Sequence, residues 1–208
     1  MTRHLALLAV LASAVGLSAC VTVLPKQPPV QLYRFGAPPA VGEPTNAGKR
    51  VGLVIYAATL PSAARGDGIL TIRGNEAAYV GGARWVVPAA TLFQEAVIGG
   101  VEPYAPHVRL RRPGDAGSDP MRMRIDVRHF ETVYAGAKND TPEVWLEAVI
   151  QLVEPGGRAA TERTVSLRIP ASANRVGAIV AAYDEAVAQT VKAAASLAEA
   201  AASPPKTP

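Results

Sequence analysis

The chain has 208 residues, of which 49% are hydrophobic, with 21 Lys and Arg against 17 Asp and Glu and a single cysteine. This composition excludes a disulfide framework, a long disordered polymer and a multi-pass membrane protein. The formal charge of +4 is too small a bias to imply a nucleic-acid partner.

Residues 1–19 open with Arg3 and His4, continue as an apolar stretch from Leu5 to Leu17, and end in Ser18 and Ala19 ahead of Cys20. That is the pattern of a secretory signal peptide, and its apolar run is shorter than the roughly 20 residues a spanning helix needs. Leu17-Ser18-Ala19-Cys20 resembles the bacterial lipobox. The resemblance implies cleavage before Cys20 and acylation of its thiol and new amino terminus, leaving 20 basic against 17 acidic residues. Two or more acyl chains, at about 0.8 kcal/mol per buried methylene, hold a protein on a membrane where one does so only marginally. Val21 follows the cysteine, where an aspartate commonly marks retention at the inner membrane. The expected location is therefore the cell envelope, lipid-anchored, on the periplasmic face of the outer membrane.

Residues 20–48 carry six prolines between Pro25 and Pro44 and read as a lipid-anchored, extended tether, with residues 31–35 as a short edge strand within it. One domain is expected over residues 49–202, and residues 203–208, with three prolines, form a tail. Residues 51–56 make a short apolar strand. Residues 69–73 and 77–80 flank Gly74-Asn75 as a tight hairpin, and Gly81-Gly82 break the pattern. Ala89, Leu92, Phe93, Ala96 and Val97 fall at helical spacing, with Pro88 in the first turn and Gly99-Gly100 as the stop.

Between residues 121 and 130, Met121, Met123, Ile125 and Val127 alternate with Arg122, Arg124, Asp126 and Arg128 as a half-buried strand. Residues 143–154 and 165–169 form a long antiparallel hairpin about Pro155-Gly156-Gly157. A final helix, capped by Ser172 or Asn174, carries an apolar stripe through Val176, Ile179, Val180, Tyr183, Val187, Val191, Ala194 and Leu197. The expected fold class is α+β: a largely antiparallel sheet in a single domain, with a central and a C-terminal helix packed on it.

Chemistry-bearing motifs are scarce. In residues 42–50 five residues separate the glycines where a phosphate-binding loop has four, and Arg50 stands where that loop has Ser or Thr. Gly66-Asp67-Gly68 lacks the third glycine of a dinucleotide loop. His107 and His129 have no cysteine or carboxylate at ligand spacing, and Asp67, Asp115, Asp119 and Asp140 sit in turns. No catalytic residue, metal site or cofactor site is assigned, and the chain reads as a non-enzyme. Arg122 and Arg124 are candidates for contacting anionic headgroups or an acidic partner, because guanidinium forks bind phosphate bidentately. Trp145, on the face shared with Glu143, Glu147 and Gln151, is the candidate aromatic contact.

With the lipobox and helices placed, the pattern resembles the ABC-type transport auxiliary lipoproteins, the family that includes PqiC. The residues that carry it are Gln31-Leu32-Tyr33-Arg34-Phe35, then Leu60-Pro61 and Arg65-Gly66-Asp67-Gly68-Ile69, and Arg84-Trp85 with Leu92. The strand from Met123 to Phe130, that from Glu143 to Glu154, and the alanine-rich terminal helix continue it. Val86-Val87-Pro88 departs from the small or acidic residue the family often has before this proline.

The resemblance implies a non-enzymatic periplasmic lipoprotein that docks the conduit of an intermembrane lipid transport system at the outer membrane. Its partners would be an MCE-domain protein and an ABC permease and ATPase, with the membrane held through acylated Cys20, and phospholipid and a homo-oligomer as further options. The alternatives are a carrier that holds phospholipid in its own cavity and a purely structural envelope lipoprotein.

Overall fold

The structure is a computed structural model that describes residues 29–36, 50–115, 117–136, 140–157 and 159–203. Cys20 and the residues read as signal peptide lie outside the described residues, as do residues 21–28 and 37–48 of the expected tether and residues 204–208 of the expected tail. Among the described residues eight strands form one sheet: β1 (Gln31–Tyr33), β2 (Val51–Ile55), β3 (Gly68–Arg73), β4 (Glu76–Trp85), β5 (Val108–Leu110), β6 (Met121–Tyr134), β7 (Glu143–Val153) and β8 (Ala160–Pro170). Helix α1 (Ala89–Tyr104) follows β4 and helix α2 (Val176–Ala202) follows β8.

The long β6 organises the sheet. One of its edges takes β2 near its start and β3 near its end, both parallel, while the other pairs with β7 antiparallel over almost its whole length. The antiparallel ladders β3–β4, β6–β7 and β7–β8 are the long ones, and the parallel pairings of β1 with β4 and of β2 with β5 span three residues each. The sheet is mixed, largely antiparallel by paired residues, and the fold is a single-domain α+β one as its pattern implies.

Both helices cover one face. Met121, Met123, Ile125 and Val127 point into the core with Val144, Leu146, Ala148, Ile150 and Leu152 of β7. A bulge between Val127 and His129 then shifts the register. Beyond it Phe130 and Thr132 face the helices and His129 faces outward, so the alternation read from residues 121–127 changes parity. The centre of the core is aromatic: Phe35, Trp85, Phe93, Phe130 and Tyr183 make ring contacts with centroids 4.9 to 6.4 Å apart. Burial pushes the Tyr183 phenol well above its ordinary pKa, against the lowering effect of its hydrogen bond with Thr132, and the charge of Glu131 adds to the rise.

Several local expectations change in the folded chain. The predicted edge strand at residues 31–33 is present, but Phe35 is 1% exposed at the middle of the core, so part of the segment read as tether belongs to the domain. Gly36, at φ +70°, lies close against α1, where a Cβ would stand 2.5 Å from that of Ala96. Its N–H donates to Asp184 Oδ1 at 2.7 Å.

Strand β4 continues through Gly81-Gly82 to Trp85, and the irregularity expected there is a register shift opposite Gly68 to Leu70. Helix α1 likewise runs through Gly99-Gly100 to Tyr104. The glycine serves packing and not termination, because a Cβ on Gly100 would lie 2.4 Å from Val191 Cγ1 of α2. Neither proposed cap holds α2. Its first residue follows an extended Arg175 without a side-chain cap, and Asn174 Oδ1 instead accepts from the Tyr134 hydroxyl at 3.0 Å. The three-residue β5 carries no sequence pattern of its own and is recruited by pairing with β2.

Candidate functional site

The face of the sheet away from the helices carries the residues singled out for contact. Strand pairing lines up Arg124 of β6, Gln151 of β7 and Glu162 of β8 across this face, and likewise Glu131, Trp145 and Arg168. Arg122 and Arg124 are two apart on β6, so both project outward while Met121, Met123 and Ile125 are buried behind them. With Tyr56, Gln151 and Val153 they line an open groove of about 310 Å³. The Arg124 guanidinium lies 5.2 Å from the Tyr56 ring centroid, and Arg122 stands 3.7 Å from Asp119 at the groove's rim. Exposed guanidinium groups held by an aromatic ring and a single carboxylate retain donors for an anion.

Trp145 stands in the same face but is clamped. The His129 ring stacks on it with centroids 3.4 Å apart and planes 10° from parallel, and the Arg168 guanidinium lies 4.1 Å from its centroid. Arg168 pairs with Glu143, while His129 Nδ1 and Glu131 Oε1 stand 2.7 Å apart. Glu131, only 9% exposed, also accepts the Phe130 N–H at 2.7 Å. The indole Nε1 is buried without a hydrogen-bond partner among the described residues. Trp145 therefore presents a charged roof rather than a bare indole, and it is separated along β7 from the groove at Gln151 and Val153. The structure groups Arg122 with Arg124 and sets Trp145 apart.

Sequence reasoning passed over Tyr56, which completes the groove. Its signal was a place just past β2, a strand that lies beside β6. Both histidines acquire carboxylates: His129 has Glu131, two residues on along the strand, and His107 has Glu199 from the far end of α2, with Nδ1 and Oε1 2.5 Å apart. The His107 N–H also donates to Glu199 Oε2 at 3.0 Å. Burial alone would raise the Glu199 pKa, but these two hydrogen bonds, the His107 charge and Ser203 together hold it below its ordinary value. Among the described residues no group of three or more His, Cys, Asp and Glu is placed to hold a metal ion.

A concavity of about 540 Å³ lies between Val30, the loop at residues 62–68 and β4 from Tyr79 to Arg84. Its lining includes the Gly66-Asp67-Gly68 and Arg84 motif residues, and the geometry gives them a structural task. Arg84 Nη1 contacts Asp67 Oδ2 at 3.0 Å, and the Trp85 N–H donates to the Asp67 carbonyl at 2.7 Å. The Gly66 and Arg65 carbonyls accept the N–H groups of Ala89 and Ala90 at 2.8 and 3.2 Å. The loop thus caps α1, which has no side-chain cap of its own. Gly68 packs beneath the Tyr79 ring, where a Cβ would be 2.5 Å from Cδ1.

No helix among the described residues is long and apolar enough to cross a membrane. The fold is similar to two solved structures. One, from Xanthomonas campestris and titled as a DUF330 protein, is 22% identical, with 82% of this chain and 96% of that one covered at a TM-score of 0.64. The other, titled an uncharacterized protein, is 14% identical, covering 82% of this chain and 99% of that one at a TM-score of 0.65. Among curated proteins none matches. The profile of the ABC-type transport auxiliary lipoprotein component matches residues 33–195, from β1 into α2, a span that takes in the capping loop, the arginine groove and the clamped indole. The chain belongs to the ABC-type transport auxiliary lipoprotein family, and through it to the cell envelope.

Proposed function

We propose that the protein is a non-enzymatic periplasmic component of an ABC and MCE-type intermembrane lipid transport system. It is anchored by acylated Cys20 and docks the transport conduit at the outer membrane. The observation that carries this reading is the family match over residues 33–195 behind a lipobox ending at Cys20. The permease and ATPase would be other chains. Eight residues lie between Cys20 and Pro29, where the described chain begins, so covalent geometry keeps the start of the domain within about 32 Å of the acylated residue. Confinement of that kind raises the effective concentration of a partner, so modest contacts through the arginine groove suffice.

A docking role is favoured over a cargo-holding one by the aromatic cluster. The space between sheet and helices, where a carrier would keep an acyl chain, is filled by Phe35, Trp85, Phe93, Phe130 and Tyr183. Arg122 and Arg124 are the contacts proposed for an acidic partner surface or anionic headgroups, with Trp145 holding the adjoining face in shape.

Photo-crosslinking from position 56 of the full-length lipoprotein in growing cells tests this. An adduct with an MCE-domain chain, lost in the Arg122→Ser, Arg124→Ser double variant at unchanged protein level, is the expected result. An adduct with phospholipid alone would transfer the assignment to the carrier. Absence of both, or an MCE adduct indifferent to the arginines, would remove respectively the docking role or the groove's part in it.

A further inference from the structure

Strand β8 stands at an edge of the sheet formed by the described residues. It pairs with β7 in an unbroken register from Val153 opposite Ala160 to Glu143 opposite Pro170, and among the described residues no strand covers its other edge. The strand is eleven residues long, against three in β1 and three in β5, and about half of its residues turn their backbone groups to the side away from β7. Residues 160–169 contain no proline, lysine or glycine and the ladder with β7 has no bulge, so the protection this edge carries is its charged side chains, Glu162, Arg163 and Arg168. Val165, Leu167 and Ile169, on the helix side, are only half-buried.

The order of side chains on this edge is self-complementary. Two copies of β8 pairing antiparallel about a two-fold axis at Val165 place Glu162 of each opposite Arg168 of the other, and Thr164 opposite Ser166. On the helix side Val165 meets its own copy, Thr161 meets Ile169, and the Arg163 stem lies along Leu167. Moving the axis one residue, to Thr164 or Ser166, loses both charge pairs: Glu162 then opposes Ser166 or Pro170, and Arg168 opposes Ala160 or Thr164. A shift of a single residue in the pairing itself would turn the faces over. Both charged groups are already held on the sheet, Arg168 by Glu143 and Trp145, and Glu162 by Gln151 Nε2 at 3.0 Å. Opposite charges facing across a strand pair select register and partner.

We propose that the outer edge of β8 binds a second copy of this chain, joining two sheets edge to edge about Val165 through reciprocal Glu162–Arg168 pairs. The assignment is independent of the transport reading, since it rests on the strand alone. The isologous geometry makes a closed pair, which uses up the edge and leaves no growing end.

The test uses two differently tagged copies of the full-length chain co-expressed and solubilised in detergent, with one tag captured and the other measured. Wild type should co-purify. Glu162→Arg alone and Arg168→Glu alone should each lower recovery tenfold or more by setting like charges opposite. The two variants expressed together should recover to within twofold of wild type, because each then supplies the charge the other lacks. Val165→Cys should link to itself on mild oxidation, with the Cys20-only chain as the control. Failure of the mixed pair to recover, absence of wild-type self-capture, or linkage of Val165→Cys to a different envelope protein would overturn the proposal. If Arg168→Glu does not accumulate, the Val165→Cys linkage decides the matter by itself.

Discussion

Gly100 of α1 and Val191 of α2 meet so closely that a Cβ on the glycine would stand 2.4 Å from the valine Cγ1. The absence of that carbon lets the two helices settle side by side on the sheet. A β-branched valine has few rotamers with which to retreat, so the contact is sensitive to one methyl group. Gly100→Ala gains helix propensity of up to about 1 kcal/mol. It should nevertheless lower stability by about 1–3 kcal/mol through overpacking. Urea denaturation measures this, and adding Val191→Ala should return part of the loss. A variant more stable than wild type would show that the helices separate at little cost.

The stack of His129, Trp145 and Arg168 makes an optical prediction. Trp85 is 2% exposed in the core, so with Trp85→Phe the remaining fluorescence reports Trp145. Arg168→Ala removes one cover from the indole and should raise its collisional quenching by acrylamide about twofold. The accompanying stability loss should be about 0.5–1 kcal/mol, the range for a cation–π contact at an exposed site. Unchanged quenching would mean that Arg168 does not shield the ring in solution.

Glu199 ties the end of α2 to His107 beside β5, and its pKa is lowered from the ordinary 4.5 in the folded protein. A carboxyl with a lowered folded-state pKa adds stability that is fully present above its unfolded pKa and disappears as pH falls through the folded one. Stability should therefore decline below about pH 4.5, with a contribution that Glu199→Gln removes. Comparing urea midpoints of the two proteins from pH 7 to pH 3 reads it out. The variant should be less stable at neutral pH, and the gap should close as acid protonates the wild-type carboxyl. A constant gap across that range would assign the loss to packing.

Much of the fold was legible because periodicity survives local change. Alternation in β7 and in β6 up to its bulge, and the stripe from Val176 to Leu197, each bury an apolar face, and β8 half-buries Val165, Leu167 and Ile169, so successive residues of each pattern repeat the same message. Signals resting on one or two residues were the ones that tertiary context rewrote. Gly99-Gly100 has the composition of a stop but lies inside α1, because close approach to α2 offsets the cost of glycine in a helix. Gly81-Gly82 bends β4 without ending it. Asn174 has a hydroxyl to bind and does not cap α2.

The site was legible only in part. Arg122 and Arg124 share a face by the two-residue period of a strand, which sequence alone states. That Tyr56 would stand under Arg124, or His129 and Arg168 on opposite sides of Trp145, depends on strands brought together from distant parts of the chain.

By itself the amino-acid order determined the class of fold, the two helical faces and the outward set of arginines, since each of these is written in neighbouring residues. Only the tertiary structure decided that Phe35 enters the core, that the loop at residues 65–67 caps α1 and latches Trp85, that a bulge turns His129 outward, and that β8 stands at the edge of the sheet among the described residues. The physical reason is the same in each case. Strand order, register and close approach between helices are set by contacts between residues far apart in sequence, and a local pattern does not encode which distant partner will occupy the other side.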